Sequence, residues 1–207
     1  MEITVDDLIR RVKTNMEELI DESEESIVLS VGISAEQYIR EKLPDAILSV
    51  FASAPVTELP QTDCASSLTP ERRSDGSGRV WLPADVWRMT EFCMEGWLQP
   101  VTSFIDHTSP AYELQFNPYT RGGIASPVCI LSNEAGQKSL DYYSLPPCIE
   151  NHRVKTARYV AYPRPDGDKY EIAEALVPLV CYTCAALVFE ILGQPDRAAS
   201  MLRSIVR

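Results

Sequence analysis

The chain has 207 residues, of which 45% are hydrophobic, and a formal net charge of −11 at pH 7. This length is near the upper end for one domain, and the apolar fraction is sufficient for a sizeable core. The acidic balance argues against nucleic acid as a held ligand, because phosphate binding requires lysine and arginine to displace counterions. The acidic start, Met1–Asp7, lacks the basic and then apolar pattern of a secretory signal, so we expect no secretion by that route.

The six cysteines follow no disulfide or metal-binding spacing, and we predict reduced, mostly structural thiols in a cytosolic setting. Cys181 and Cys184 have the spacing of a redox motif, but they lie inside an apolar stretch and not at a helix N-terminus, where a thiolate is stabilised. A zinc site needs further ligands, and His107 and His152 have no paired spacing. We therefore predict no catalytic residue, no cofactor and no metal site.

The first predicted element is an amphipathic helix close to the N-terminus. Thr4 has the character of an N-cap, and Asp6 and Asp7 follow in the first turn, where the helix dipole favours anions. The apolar positions then recur with helical spacing over residues 5–20. The pattern predicts one face packed on a core.

A second helix is predicted from the capping box formed by Ser34 and Gln37. Pro44 lies inside its pattern, so we expect a kink or a restart there. The helix must end by Ala54, because the proline that follows restricts that residue. Pro60–Gly78 then reads as a loop with no period, a length that is typical of a functional or partner-ordered loop.

From Arg79 onward the periodicity changes to that of strands. The predicted extended segments are Arg79–Pro83, Arg88–Gly96 with Gln99–Ile105 as its return partner, Val128–Leu131, Ser139–Tyr143 and Val154–Tyr162. The turn at Asn133–Gly136 joins two of these segments into a hairpin.

The stretch Glu171–Leu192 is the most apolar part of the chain, with no charge between Glu174 and Glu190. A helix that is apolar on every side is buried on every side, by its own domain or also by a neighbouring subunit. A membrane span needs about 20 unbroken apolar residues. Because Pro178 and Glu190 interrupt the stretch, we predict no membrane span. A short amphipathic helix is predicted at Asp196–Val206.

These elements together predict an α+β fold. We expect a helical bundle, made of two N-terminal helices and the long C-terminal helix, with an inserted antiparallel β region. The predicted organisation is one domain over residues 1–207, with the bundle from 1–55 and 170–207, a loop at 56–78 and the β-rich insertion at 79–163.

Aromatic residues are concentrated in the predicted β region, which is too small to bury all of them. They are Trp81, Trp87, Trp97, Tyr112, Phe116, Tyr119, Tyr142 and Tyr143. Such residues are enriched where one protein meets another, although an ordinary sheet core is the alternative. As candidates for an interface between subunits or with other proteins we select Trp81, Trp87, Trp97, Tyr119 and Arg121. Arg121-Gly122-Gly123 is interpreted as a turn, because no strand–loop–helix frame of a nucleotide site surrounds it.

The segment Arg79–Arg88, RVWLPADVWR, resembles a strand and turn of the head-to-tail adaptor (connector) proteins of tailed bacteriophages, especially crAss-like and short-tailed phages. The resemblance continues in order through Gly96-Trp97, Pro110–Tyr112, Tyr119–Gly122, Pro127–Cys129, Tyr162–Pro165 and Ala186–Gly193. The chain departs from the family pattern in the long Pro60–Gly78 loop and in Pro178 within the last long helix.

This resemblance implies a structural protein of the virion neck, assembled in the cytoplasm of the bacterial host. Adaptors form a homo-oligomeric ring, typically dodecameric, that docks under the portal protein and contacts the tail or further neck proteins. Genomic DNA passes through the ring without specific binding, and an acidic wall suits that passage. Because the C-terminal tail is basic in an acidic chain, we expect Arg197, Arg203 and Arg207 to contact the portal.

Two other classes of protein remain open at this point. A small cytosolic enzyme could use Cys148 or Cys93 with His152 or His107, which predicts a reactive thiol and a discrete pocket. A monomeric binding module, or a tail-completion factor of different symmetry, is the other alternative.

Overall fold

The computed structural model describes residues 1–17, 34–75, 77–143, 145 and 152–204. Within these residues the chain mixes helices and antiparallel strands, so the predicted α+β class is confirmed. The chain divides into two compact units, the first formed by Met1–Pro60 with Pro163–Arg207 and the second by Gln61–Tyr162. The two ends of the chain therefore share one unit, and the middle of the chain forms the other.

The described helices are α1 (Val5–Glu17), α2 (Ala35–Ser53), α3 (Val177–Ile191) and α4 (Pro195–Ser204). The described strands are β1 (Glu2–Thr4), β2 (Thr62–Asp63), β3 (Glu71–Arg72), β4 (Gly78–Trp81), β5 (Val86–Met94), β6 (Cys129–Glu134), β7 (Gln137–Tyr142), β8 (Val154–Ala161) and β9 (Lys169–Glu171). In the first unit α3 contacts α1, α2 and α4, and β1 pairs with β9 in antiparallel register.

Local capping fixes the start of the first two helices, as the sequence predicts. The Thr4 hydroxyl accepts the Asp7 amide at 3.1 Å, and the Ser34 hydroxyl accepts the Gln37 amide at 3.3 Å. The helix α2 is continuous through Pro44, so the expected restart is wrong. Pro44 lies on the exposed side of α2, where water can satisfy the carbonyl that the missing amide leaves unpaired. Of the first helix as predicted, residues 18–20 lie outside the described residues.

The long C-terminal helix begins later than the apolar pattern predicts. A 3-10 turn at Glu174–Leu176 precedes α3, and Pro178 occupies its first turn, where a missing amide removes no helical hydrogen bond. Pro178 therefore starts the helix and does not interrupt it. The helix ends at Ile191, and Gly193 follows with a φ of 72° that permits the left-handed cap, with the Gln194 amide 2.9 Å from the Phe189 carbonyl.

The chain itself covers only part of α3. Its buried residues are Val177, Val180, Cys181, Cys184, Ala185, Ala186, Val188 and Phe189. The half-buried residues are Leu179, Tyr182, Thr183 and Leu187, and Ile191 is exposed. The described part of the chain therefore does not bury α3 on every side. The stretch Glu174–Ile191 has the length and mean hydropathy, 1.7, of a membrane span, but half of it is buried, and core helices meet the same criteria.

The second unit contains two antiparallel sheets, with strand orders β2-β8-β5 and β3-β4-β7-β6. The predicted hairpin between β6 and β7 is confirmed, and Ala135 and Gly136 both have positive φ, as a type I′ turn requires. One hydrophobic cluster contains side chains from both sheets, among them Phe92 and Tyr142, whose ring centroids are 6.4 Å apart.

Two predictions for this unit are corrected by the structure. The partner of β5 is β8. The predicted return segment Gln99–Ile105 pairs with β5 through a single bridge, between Phe92 and Val101, and its Ile105 bridges Ile130 of β6 instead. Pro100 has no amide to donate, which limits how far that segment can pair. The segment Pro60–Gly78 is not a structureless loop, since it contains β2, a 3-10 turn at Ala65–Ser67 and β3.

Candidate interaction surface

The aromatic residues of the second unit separate into core and surface groups. Trp97, Tyr142 and Tyr143 are buried, and Trp97 packs edge-on against Phe92 with ring centroids 5.9 Å apart. Trp81, Trp87 and Tyr112 are half-buried, while Phe116 and Tyr119 are exposed. Trp97 is therefore a core residue in this chain and not the exposed anchor that an interface role assumes.

Trp81 is held on the surface of its sheet by polar neighbours. Its indole Nε1 donates to Glu71 Oε1 at 2.8 Å, and the Arg79 guanidinium lies 5.4 Å from the ring centroid. Trp87 lies at an irregularity in the β5–β8 ladder, and its carbonyl accepts Lys138 Nζ at 3.0 Å. Both side chains remain partly accessible in positions fixed by these contacts.

The exposed apolar side chains of the second unit are concentrated on one segment. We call residues 106–126 the aromatic loop; it presents Leu114, Phe116, Tyr119 and Ile124 to solvent, with Tyr119 96% exposed. Leu98, 75% exposed, is joined to this segment by its amide, which donates to the Ile124 carbonyl at 3.0 Å. Among the described residues of this unit, only Tyr162 is a further exposed large hydrophobic residue.

The tip of the aromatic loop is closed by local hydrogen bonds. Asn117 Oδ1 accepts the Tyr119 amide at 2.9 Å, and the Asn117 carbonyl accepts the amides of Thr120 and Arg121. The Thr120 hydroxyl donates to the Leu114 carbonyl at 2.9 Å. The tip that carries Tyr119 therefore has a defined conformation.

Two polar side chains brace the loop from beneath. Gln115 is buried; its Nε2 donates to the Ala111 carbonyl and its Oε1 accepts the Gly122 amide, both at 3.0 Å. Arg121 Nη1 lies 3.1 Å from Asp75 Oδ2, and Nη2 donates to the Asp75 carbonyl. The hydroxyl of Ser77 and, secondarily, Arg121 lower the pKa of Asp75. Arg121 is thus a positioning residue, with a side chain only 15% exposed.

The predicted portal arginines do not form one cluster. Arg197 is half-buried on α4 and donates to Gln194 Oε1 at 3.1 Å. Arg203 is exposed in the last turn of α4, where the helix dipole favours a cation. They are six positions apart, so they point to different sides of the helix. Arg207 lies outside the described residues.

The five described cysteines are buried, unpaired thiols. Burial raises the pKa of Cys64 and Cys181 to about 11 and that of Cys184 to about 12. Burial also raises the pKa of Cys93, the proposed nucleophile among the described cysteines, and Cys148 lies outside the described residues. Thiols in these environments stay protonated near neutral pH and react slowly.

Neither histidine forms a hydrogen bond with a cysteine thiol in the described part of the chain. His152 Nδ1 lies 2.7 Å from Tyr142 Oη, and burial lowers the pKa of His152. His107 is exposed. Two surface pockets of about 360 and 620 Å³ are lined by residues of the first unit, and neither lining contains cysteine or histidine. No group of three or more metal-ligating side chains occurs in the described part of the chain.

No model of a known protein family matches this sequence, and no curated protein matches it significantly. The chemistry of the surface is therefore the guide to function. A preorganised loop with exposed aromatic and aliphatic side chains is suited to protein contact, because aromatic residues supply most of the energy at interface centres.

The prediction from sequence found part of this surface. The aromatic character of Phe116 and Tyr119 is visible in the sequence. Asn117, two residues before Tyr119, is a recognisable signal for an Asx turn. The bracing residues Gln115 and Asp75 were missed, as was the exposure of Leu98. Asp75 could not be found, since it is 46 residues from Arg121 in the chain.

Proposed function

We propose that this chain is a structural head-to-tail adaptor of a tailed bacteriophage, which forms a ring between the portal and the tail and lines the DNA channel. The observation that carries the proposal is the incomplete cover of α3. Its half-buried stripe, Leu179, Tyr182, Thr183 and Leu187, lies on the most apolar helix of an acidic chain. Copies placed side by side in a ring would cover such a stripe, and a closed ring leaves no copy with an open face.

In this proposal the first unit is the helical bundle of the adaptor. The contacts of α3 with α1, α2 and α4 are the kind that a bundle makes. Helices from both ends of the chain would stand next to those of neighbouring copies around the ring. A dodecamer is the copy number expected from the family that the sequence resembles.

The second support is the order of the motifs that carry the resemblance. The RVWLPADVWR segment forms β4, a turn and the start of β5, with the Val86 amide 3.2 Å from the Pro83 carbonyl. The net charge of −11 favours passage of DNA without adhesion. The burial of the five described thiols favours assembly over chemistry at those cysteines.

The proposal places the assembled protein in the virion neck after assembly in the host cytoplasm. Its partners are further copies of the chain, the portal protein, and tail or other neck proteins. Arg203, with Arg197 and Arg207, is assigned to the portal contact, because Arg203 gives the exposed last turn of α4 a positive charge.

The test is native mass measurement of the full chain co-expressed with the portal protein of the virus that encodes it. We expect a closed ring bound to the portal, because heterologous contacts can close by rotation, and about twelve copies as in the family that the sequence resembles. The variant Leu187→Gln should lower ring yield at least tenfold without changing the circular dichroism of the free chain, because a polar amide would enter an apolar contact. Leu48→Gln, on the exposed side of α2, is the matched control.

A chain that stays monomeric in the presence of the portal would contradict the proposed function. The portal contact has its own test, since Arg203→Glu should weaken co-purification with the portal while Arg164→Glu should not. Both arginines are exposed, so neither change is expected to affect folding.

A further inference from the structure

The aromatic loop has an acidic rim that its own chain does not neutralise. Glu113 and Asp106 are exposed on the loop, Glu113 directly before Leu114. No arginine or lysine of the described chain forms a salt bridge with either carboxylate. The side chain of Tyr119 is 96% exposed and so is hardly buried by its own unit. Gln115 and Arg121 nevertheless hold the loop that carries it in a fixed conformation. A loop ordered before it binds loses little conformational entropy on docking.

A complementary surface occurs on the same chain. The segment Arg153–Arg158 contains three cations and no acid, in a chain with a net charge of −11. Arg153 and Lys155 are exposed, and neither pairs with a carboxylate in the described residues. Arg158 pairs with Glu91 at 3.4 Å. We call residues 153–158 the basic strand; all of them except Arg153 belong to β8.

Two other basic clusters of the described chain are largely paired. Next to β3, Arg73 lies 3.1 Å from Asp141, and on α1 Arg11 alone forms no salt bridge with the described residues. Arg10 forms a salt bridge with Asp7, and Lys13 lies 2.7 Å from Glu36. The basic strand is therefore the better source of unpaired positive charge for an acidic, aromatic loop.

We propose that the aromatic loop of one copy docks on the basic strand of a second copy of this chain. Glu113 and Asp106 pair with Arg153 and Lys155 of that copy, and the rings of Phe116 and Tyr119 lie against their cationic groups. Aromatic faces attract arginine and lysine, and opposite charges at a rim select the partner and its orientation.

The two surfaces differ, so each docking event leaves one loop and one strand open at the ends of the assembly. Such heterologous contacts close into a ring or extend into a filament. The inference therefore rests on the proposed ring and names residues of its subunit contact. The ring itself can also be held by α3 alone, so the two proposals fail separately.

The first test uses photo-crosslinking of the full chain with a benzophenone amino acid at position 119. Equal amounts of unlabelled and nitrogen-15-labelled protein are mixed, so that peptides joined between copies are recognised by their mixed masses. We expect mixed-mass crosslinks from position 119 to residues 153–158. Crosslinks only within one chain, only to other surfaces, or none between copies at any soluble concentration, would overturn the proposal.

The second test is an exchange of charges, read by analytical ultracentrifugation. Glu113→Lys and Lys155→Glu should each weaken self-association about tenfold, because like charges then face each other. Both changes in one chain should restore the association to within about threefold, since every contact again joins opposite charges. Glu41→Lys, an exposed acid on α2, is the control and should have little effect.

A double variant that associates no better than the single variants would refute the pairing, provided that all variants retain the circular dichroism of the parent. If rings form on the portal but position 119 crosslinks elsewhere, the docking inference fails and the adaptor function stands. If position 119 crosslinks as expected but no ring forms on the portal, the docking contact stands and the adaptor function fails.

Discussion

Arg79 and Asp141 face each other directly across the β4–β7 ladder and form a two-pronged salt bridge. Arg79 Nε donates to Asp141 Oδ1 at 2.8 Å and Nη2 donates to Oδ2 at 2.9 Å. The side chains are 18% and 9% exposed, so water screens the pair poorly. Arg73 Nη2 adds a third bond to Asp141 Oδ1 at 3.1 Å, which ties the residue after β3 to the same carboxylate.

Asp141→Asn should destabilise the second unit by about 2 kcal/mol, because the mostly buried Arg79 guanidinium then keeps only Glu134, whose side chain is 50% exposed, as a counter-charge. The measurement is urea unfolding followed by tryptophan fluorescence. Asp45→Asn, which removes an exposed pair with Lys42, should change stability by less than about 1 kcal/mol. If the two substitutions lowered the free energy of unfolding equally, the buried salt bridge of Asp141 would contribute no more to stability than the exposed pair.

Gly78→Ala should be among the most damaging small substitutions in the chain. A methyl group at Gly78 would overlap the ring of Tyr142 and lie 2.7 Å from the Glu71 carbonyl. Neither group can move freely, since Tyr142 is fully buried and Glu71 pairs with Arg79 in β3–β4. We expect a loss of about 3 kcal/mol or more in thermal or urea unfolding.

The matched control for that change is Gly123→Ala. Nothing lies within 4 Å of a Cβ at Gly123. The substitution should alter the free energy of unfolding by less than about 1 kcal/mol. A well-tolerated Gly78→Ala would contradict the close packing of β4 on Tyr142.

Stability should fall on the alkaline side because of three buried tyrosines. Burial is the main cause that raises the pKa of Tyr142, Tyr143 and Tyr159 from 10.0 to about 12. The unfolded chain releases these protons near pH 10 while the folded chain retains them, so the stability they provide is complete below pH 10 and is lost as the pH rises through about 12.

Urea midpoints measured in steps across this window should show the decline, with tyrosinate absorbance rising together with unfolding. Tyr159→Phe should flatten the decline, since one of the three protons is then absent from both states. It should also lower stability at neutral pH slightly, through loss of the bond from Tyr159 Oη to Asp85 Oδ2 at 3.1 Å. An unchanged alkaline slope in this variant would count against the role of Tyr159.

Arg121→Gln should loosen the aromatic loop without unfolding the second unit, because the bond to Asp75 joins the loop to the turn after β3. Hydrogen exchange measured by mass spectrometry should show about tenfold faster exchange of the Thr120 and Gly122 amides, which are otherwise hydrogen-bonded. Asp75→Asn should give the same change, and the double variant should add little to it. Arg88→Gln, at an exposed position on β5, is the control.

Much of the local structure could be predicted because its signals act over a few residues. Thr4 and Ser34 cap helices through amides three residues away. The Ala135-Gly136 turn sets the register of its own hairpin. Pro178 was misjudged because the pattern alone does not tell where in a helix a proline lies, and only a position in the first turn makes it harmless.

The pairing of β5 with β8 could not be predicted in this way. Val86 faces Ala161 across the ladder, although the two residues are far apart in the chain. The entropy of closing so long a loop depends only weakly on its length, so the sequence does not tell which of the available strands will pair. The aromatic residues illustrate the same limit. Trp97 and Tyr119 are both aromatic residues of the same unit, and the sequence does not distinguish their burial. Trp97 is 6% exposed and Tyr119 is 96% exposed.

The amino-acid sequence by itself determined the acidic charge, the mixture of helices and strands, the capped N-terminal helices and an apolar helix near the C-terminus. These properties follow from composition and from periods of two and 3.6 residues, which are local. Only the tertiary structure decided which side of α3 its own chain covers, which aromatic residues reach solvent, and that Arg121 holds Asp75. Burial and ion pairing depend on which distant surfaces meet, and no local pattern carries that information.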